Sequence, residues 1–381
     1  MIPPPQTGGP WPNHHQLLLL RAALLPREQA LAAWAQWRAE VDIEQAHPDP
    51  ASFRLMPLLS QALSQQGADD PFLPRLRGIH RNRWVRNQLA QQAWLAGWQG
   101  LQAAGIHSLA VGNVALLPRH SQDGGLRPAD PAEWLVRQGE MAQATHALLA
   151  QGWRPRDGRP TSLISAAQEV RASLAFVDKE ERGCILRWRL AAGGKRGDAF
   201  EEALWAAAQP VAIEIQGEKI RASALCPEDE LLFLCLRAWE DLPPPPVDWL
   251  ADAVAILRRE GDRLDGSRLA RMAGLSGAAP AVRDLLAYLA EEFEVKLPAH
   301  LLAELARLPV TPELGRRYAL WASPSGRFGA LGRGWGIYRQ LAARRGARSF
   351  REFARLYYGK ESQAQLLVWV ARRLTRPHLG A

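Results

Sequence analysis

Cysteine is scarce in this sequence of 381 residues, and its arrangement argues against two classes of protein. Only Cys184, Cys226 and Cys235 are present, an odd number with no Cys-x-x-Cys pair. Neither a disulfide framework nor a cysteine-rich zinc site is therefore expected. We predict that the three thiols are small buried core residues, as is typical of a chain in a reducing cytoplasm.

Long hydrophobic runs are also missing. The apolar run near the start, residues 17–20, consists of four leucines and is followed at once by Arg21. A transmembrane helix needs about 20 apolar residues, and the core of a signal peptide needs at least about 7. We therefore predict no transmembrane segment, no targeting segment and a cytoplasmic location.

The sequence does contain a large apolar fraction and an uneven charge. Hydrophobic residues make up 47% of the chain and 15 residues are Trp, which predicts a globular protein with two or three domains. The net charge is +8, but residues 315–381 hold thirteen Arg and one Lys against two Glu, a charge of +12 that leaves −4 for the remainder. This basic stretch suits nucleic acid or an anionic membrane. In the alternative interpretation, this stretch is an ordinary helical cap on the fold, and its basic face is simply solvated.

The most informative stretch runs from residue 105 to residue 153. Its pattern predicts a buried strand at 106–111, a turn at Gly112 and Asn113, a Gly/Pro-rich loop, a second strand at 133–136 and a helix at 140–151. This order resembles the core of the nucleotidyltransferase superfamily, the DNA polymerase beta-like fold. Within it, the sequence is most similar to a large bacterial group of mostly uncharacterised nucleotidyltransferases. Further shared markers, such as Trp249-x-x-Asp252, extend the resemblance over roughly residues 30–300.

The resemblance implies an α+β fold. In it, a small mixed nucleotidyltransferase-type sheet is flanked by N-terminal helices and a larger C-terminal helical region. Five segments are expected: a loose lead-in (1–14), an N-terminal helical layer (15–104), a nucleotidyltransferase-like α/β core (105–225), a helical domain (226–310) and a basic, Arg-rich helical segment (311–381). Helical periodicity predicts that the first layer begins with one helix over residues 15–38.

The resemblance also implies where a nucleotide would bind. In the family, a Lys-Gly turn after the first strand meets the nucleotide phosphates with exposed backbone N–H groups. Here Gly112 keeps the conformational freedom of that turn, while Val111 replaces the Lys and Asn113 is the adjacent polar side chain. Gly112 and Asn113 are therefore candidates for binding a nucleotide or another anion.

The second strand carries the metal-binding carboxylates of the family, two residues apart so that both point to one face. The matching positions here are Pro131, which offers no ligand, and Glu133. Asp130 would point to the opposite face of a regular strand, but a bulge at Pro131 would bring it toward Glu133. Asp130 and Glu133 are thus the candidate catalytic and metal-binding residues of an active protein. In the alternative interpretation, Asp130 caps the loop and Glu133 is simply exposed.

Two arginines accompany this strand in the alignment with the family. Arg127 keeps the family's Arg four residues before the first acidic position. On a later strand, Ile185 and Arg187 replace an acid and a His. A guanidinium at position 187 would turn a metal pocket into an anion pocket, because its planar fork suits carboxylate or phosphate. Arg127 and Arg187 are therefore candidate anion-binding residues.

Three functions follow from these positions. The leading hypothesis is a degenerate, non-catalytic nucleotidyltransferase-fold protein that needs no cofactor and binds a protein partner or an anionic ligand. The first alternative is an active enzyme that uses Mg²⁺ and an NTP to modify a small molecule, peptide or protein through Asp130 and Glu133. The second alternative is a nucleic-acid-associated protein that binds through residues 315–381.

Overall fold

The structure is a computed structural model, and it describes residues 11–42, 48–120, 123–129, 131–190, 198–215, 217–240, 247–322, 335, 338–339 and 349–375. A seven-stranded mixed sheet lies at its centre and carries helices on both faces. The predicted α+β class is therefore confirmed. Within the described ranges, no helix combines the length and the apolar character that a membrane span requires.

The sheet is built from both parallel and antiparallel pairs. Its strands are β1 (Ser108–Val111), β2 (Ala132–Val136), β3 (Arg154–Pro155), β4 (Ser173–Val177), β5 (Gly183–Arg187), β6 (Gln209–Ile215) and β7 (Glu218–Ala224). They lie in the order β3-β4-β5-β2-β1-β7-β6. The central β2 is antiparallel to β1 and parallel to β5, and β1 is parallel to β7. The fold thus brings β5 beside β2 although β3 and β4 come between them in sequence.

Helices account for most of the remaining described chain. They are α1 (His14–Leu24), α2 (Arg27–Glu40), α3 (Pro50–Gln65), α4 (Leu73–Ala103), α5 (Asn113–His120), α6 (Met141–Ala150), α7 (Ile164–Val170), α8 (Asp198–Ala206), α9 (Pro227–Glu240), α10 (Trp249–Glu260), α11 (Gly266–Ser276), α12 (Ala279–Phe293), α13 (Leu301–Arg307), α14 (Pro312–Ala322), α15 (Phe350–Tyr357) and α16 (Gln363–Thr375).

Two of these helices differ from the sequence predictions. The single helix predicted over residues 15–38 is divided into α1 and α2, with Leu25 in an extended conformation. Pro26 causes the break, because proline disfavours helical backbone in the residue before it. Helix α5 takes the place of part of the predicted loop after Gly112. A short apolar run, Val114 to Leu116, packs this helix into the core.

The two faces of the sheet are covered by different helices. On one face, Trp134 of β2 belongs to a core that includes Trp94 of α4 and Leu148 of α6. Helix α4 lies very close to the sheet there, because Gly97 has no side chain where a Cβ would collide with the Trp134 ring. The predicted N-terminal helical layer is thus shared between the two faces, since α1 to α3 pack on the other one.

On that second face, β1 and β2 contact the C-terminal helices. Leu109 and Val111 of β1 and Leu135 of β2 share a core with α1–α3 and α9–α12. Because side chains alternate along a strand, Glu133 points to the same face as Leu135. This polar position is consequently placed under the helical region rather than toward open solvent, with only 3% of the residue exposed.

The described part of the basic C-terminal segment is attached to the sheet domain. Helix α15 packs on α7, and Arg159 donates hydrogen bonds to the carbonyl oxygens of Leu356 and Tyr357 at 3.4 and 3.3 Å. Arg171 donates a second hydrogen bond to the Tyr357 carbonyl, at 3.2 Å. Cations at the end of a helix satisfy its free carbonyls and its dipole. Of the predicted segment 315–381, residues 323–334, 336–337, 340–348 and 376–381 lie outside the described residues, as do residues 1–10 of the predicted lead-in.

Candidate functional site

Glu133 occupies the centre of the candidate site. Its Oε2 accepts a hydrogen bond from Nε of Arg187 at 2.7 Å, and its Oε1 lies 3.2 Å from Nη1 of Arg237. Arg187 reaches it because β5 runs parallel to β2, with Leu135 opposite Arg187 in the register. Arg237 comes from α9, which covers this face of the sheet. Both carboxylate oxygens therefore already have cationic partners from the protein itself.

The surroundings of this cluster favour the charged form of the carboxylate. Burial alone would raise the pKa of Glu133, but the two guanidinium groups outweigh burial and hold its pKa below the usual value. The guanidinium carbons of Arg187 and Arg237 lie 5.1 and 5.6 Å from the ring centroid of Phe233. Cation–π attraction adds to the ion pairs at these distances. The site is thus a buried Arg–Glu–Arg cluster on an aromatic support.

The glycine turn closes over the same carboxylate. Gly112 has a φ of +69°, and a Cβ built on it would lie 3.6 Å from Oε1 of Glu133. The side chain of Asn113 does not point freely to solvent, because its Nδ2 donates to the Pro128 carbonyl at 2.6 Å. Gly112, Glu133 and Arg187 are therefore brought together, while Asn113 anchors the loop that precedes β2.

Arg127 faces a different group of acids. Its Nη2 lies 2.9 Å from Oδ1 of Asp252 and also donates to the carbonyl of Asp248, at the start of α10. Asp248 is in turn paired with Arg54 of α3 at 3.0 Å. Burial raises the pKa of Asp252 to about 6, although Arg127 opposes the shift. Arg127 therefore links the loop before β2 to the helical region instead of approaching Glu133.

A buried asparagine on α4 holds this loop in place. Asn87 donates from Nδ2 to the carbonyl oxygens of Gly124 and Arg127 at 2.5 and 2.7 Å, and its Oδ1 accepts from the Ala129 N–H at 2.9 Å. These bonds satisfy a stretch of backbone that has no secondary structure of its own. The position of Arg127 thus depends on a residue forty positions earlier in the chain.

The described donors do not fit a Mg²⁺ ion at this site. Magnesium is held by free carboxylates and water, and Glu133 has both oxygens engaged by arginine. Asp130 lies outside the described residues, and position 185, which is opposite Glu133 in the pairing of β2 with β5, is an isoleucine. Within the described chain, three or more potential metal ligands come together in a surface group of His14, His15 and Glu40, not around Glu133.

Three functional neighbours were not predicted from the sequence. Arg237 and Phe233 complete the cluster around Glu133, and Asp252 is the partner of Arg127. Asp252 lies in the Trp249-x-x-Asp252 helix, which the sequence marked as a shared feature of the family without giving it a role. A signal for Arg237 does exist, because it is a single cation that follows the apolar run 231–236. Such a cation in a buried helix requires a counter-ion from elsewhere in the fold.

The mixed sheet, the glycine turn that leads into α5 and the acidic position on β2 define a nucleotidyltransferase-like protein. The family model for uncharacterised nucleotidyltransferases matches residues 51–294, and the chain belongs to this family. No curated protein and no solved structure matches the chain. The matched range contains the entire sheet and the Arg–Glu–Arg cluster, and it ends before α13.

Proposed function

We propose that this nucleotidyltransferase-family protein binds an anionic ligand or a protein partner without transferring a nucleotide. The observation that carries the proposal is the engagement of both Glu133 oxygens by Arg187 and Arg237. Metal-dependent nucleotidyl transfer relies on carboxylates to hold a divalent cation against the triphosphate. In this chain the same strand position supplies an internal counter-ion for two arginines.

Physical chemistry supports a structural role for this cluster. A divalent cation would have to displace two guanidinium groups from a buried carboxylate, and those groups would then lie beside the metal. Arg187 is itself buried and bonded to Glu133, so this geometry does not support the anion-binding role predicted for it. The anion-binding function is instead assigned to the neighbourhood of Arg127, where additional cations are present.

The test is binding and transfer with each nucleoside triphosphate. The whole purified chain is heated with ATP, GTP, CTP or UTP, with and without Mg²⁺, and incubated with α-³²P-labelled nucleotides. A ligand at a hundred times its dissociation constant stabilises a folded protein by about 2.7 kcal/mol. We expect no Mg²⁺-dependent stabilisation and no labelled product.

A Mg²⁺-dependent shift with any nucleotide would overturn the proposal and support the active-enzyme alternative through Asp130 and Glu133. Glu214→Gln serves as a control for charge loss, because Glu214 lies exposed on the edge strand β6. A shift that survives Glu214→Gln and disappears with Glu133→Gln would locate the metal on Glu133.

A further inference from the structure

A cavity of about 470 Å³ opens beside Arg127, between α1, α3, α5 and α10. Its volume lies within the range of about 300–1,000 Å³ that is usual for small-molecule sites. The walls combine apolar side chains with a few polar ones. They are formed by Leu24, Leu58, Gln61, Leu116, Leu126, Arg127, Ala251, Asp252, Val254, Ala255, Arg258 and Arg259.

The charges around this cavity are predominantly positive. Arg127, Arg258 and Arg259 line it, and among its described walls Asp252 is the acid that opposes them. Asp252 is already paired with Arg127. Arg258 is bonded to the carbonyl oxygens of Leu24 and Phe293. Arg259 is more available, because its side chain is 57% exposed and its ion pair with Glu260 is long, at 3.6 Å.

Arg127 itself keeps an unused donor. The residue is 5% exposed, and its Nε–H has no hydrogen-bond partner within the described chain. Leaving a buried donor unsatisfied is destabilising, and more so for a charged group. The guanidinium group belongs to a residue that lines the cavity, and a carboxylate or phosphate oxygen is the acceptor that a guanidinium prefers.

We propose that this cavity binds an amphipathic organic anion, with its acidic group at Arg127 and Arg259 and its apolar body against the leucines. The inference rests on the proposed function, since it identifies the chemical class of the anionic ligand. Leu24, Leu58, Leu116 and Leu126 provide the apolar surface from four different segments of the chain. A free nucleoside triphosphate suits this wall poorly, because its negative charge exceeds the net positive charge of the three arginines and Asp252.

The experiment is isothermal titration calorimetry of the whole 381-residue protein with four probes. Decanoate and decyl phosphate carry both an apolar chain and an acid, while decanol lacks the charge and acetate lacks the chain. We expect decanoate or decyl phosphate to bind at least about tenfold more tightly than decanol and acetate. Whichever of the two acids binds more tightly identifies a carboxylate or a phosphate head group.

Two substitutions place the site. Arg259→Glu should weaken binding of the acidic probe about tenfold and leave decanol unchanged. The matched control is Arg263→Glu, because Arg263 is 73% exposed, lies one turn beyond and does not line the cavity. Leu58→Trp places a larger side chain in the cavity from α3, and it should abolish binding of decanoate and decyl phosphate. Circular dichroism of each variant verifies that it is folded.

Equal binding of decanoate and decanol, absence of binding by both acids, or full binding by the folded Leu58→Trp variant would each overturn the inference. These outcomes are distinct from failure of the proposed function. Mg²⁺-dependent nucleotide binding would overturn the non-catalytic proposal even if decanoate binds. Absence of both nucleotide and decanoate binding would leave that proposal standing and remove this cavity as its ligand site.

Discussion

Replacing Glu133 by Gln is the sharpest test of the Arg–Glu–Arg cluster. The substitution keeps the size of the side chain and removes its charge. Arg187 and Arg237 then face each other as like charges without their shared carboxylate, and Arg187 lies almost fully inside the protein. Removing one member of a buried ion pair typically costs about 3–5 kcal/mol. Because Arg237 is 24% exposed, water stabilises part of its charge, and we expect the lower half of this range.

The assay is the free energy of unfolding from urea titration, without metal or nucleotide. Glu214→Gln, an exposed change on β6, should stay within about 0.5 kcal/mol of the parent protein. A double-mutant cycle with Arg187→Met isolates the pair itself. The coupling energy should reach about 0.5–3 kcal/mol, and the double variant should be less destabilised than the two single changes together predict.

A metal-binding Glu133 would give the reverse result. Removing a carboxylate that repels other acids in the absence of metal leaves stability unchanged or increases it. A loss below about 1 kcal/mol for Glu133→Gln, with no coupling to Arg187, would therefore refute the structural role. Added Mg²⁺ that stabilises the parent protein but not Glu133→Gln would point the same way.

Two further predictions concern packing and pH. Gly97→Ala should lower the free energy of unfolding in urea titration by about 1–3 kcal/mol, because the new methyl group collides with the Trp134 ring. Unchanged stability would mean that α4 moves away from the sheet without cost. Asp252, with its pKa raised to about 6, binds a proton in the folded state that the unfolded chain releases near pH 4. The free energy of unfolding of the parent protein, measured relative to Asp252→Asn, should therefore fall by up to about 3 kcal/mol as the pH rises from 4 to 7. A rise or a flat profile would contradict the raised pKa of Asp252.

The basic C-terminal segment needs a different test from simple truncation. Cutting the chain near Pro312 removes α15, whose last carbonyls are bonded to Arg159 and Arg171, and so removes part of the core around α7. A loss of nucleic-acid binding after truncation would not separate binding from folding. Charge reversal at exposed arginines, such as Arg351 on α15, leaves the packed face intact and tests the nucleic-acid alternative more directly.

Local sequence pattern was sufficient for most of the elements around the site. The apolar run at residues 134–136 after the Gly/Pro-rich loop predicted β2, and helical periodicity followed by Gly152 predicted α6, because both signals come from residues close together in the chain. The order of these elements also supported the family, which the match over residues 51–294 confirms. The same local reasoning failed at Gly112, where one glycine with a positive φ fits both the predicted turn and the observed helix start of α5.

The sequence alone was enough to predict most of the elements, the α+β class and the family. Only the tertiary structure decided what Glu133 contacts. Arg187 and Arg237 are 54 and 104 residues away from it in the chain. Their meeting depends on the parallel pairing of β2 with β5 and on the packing of α9 over the sheet. No periodicity of 2 or 3.6 residues encodes such long-range contacts, because they arise when separate apolar faces are buried together.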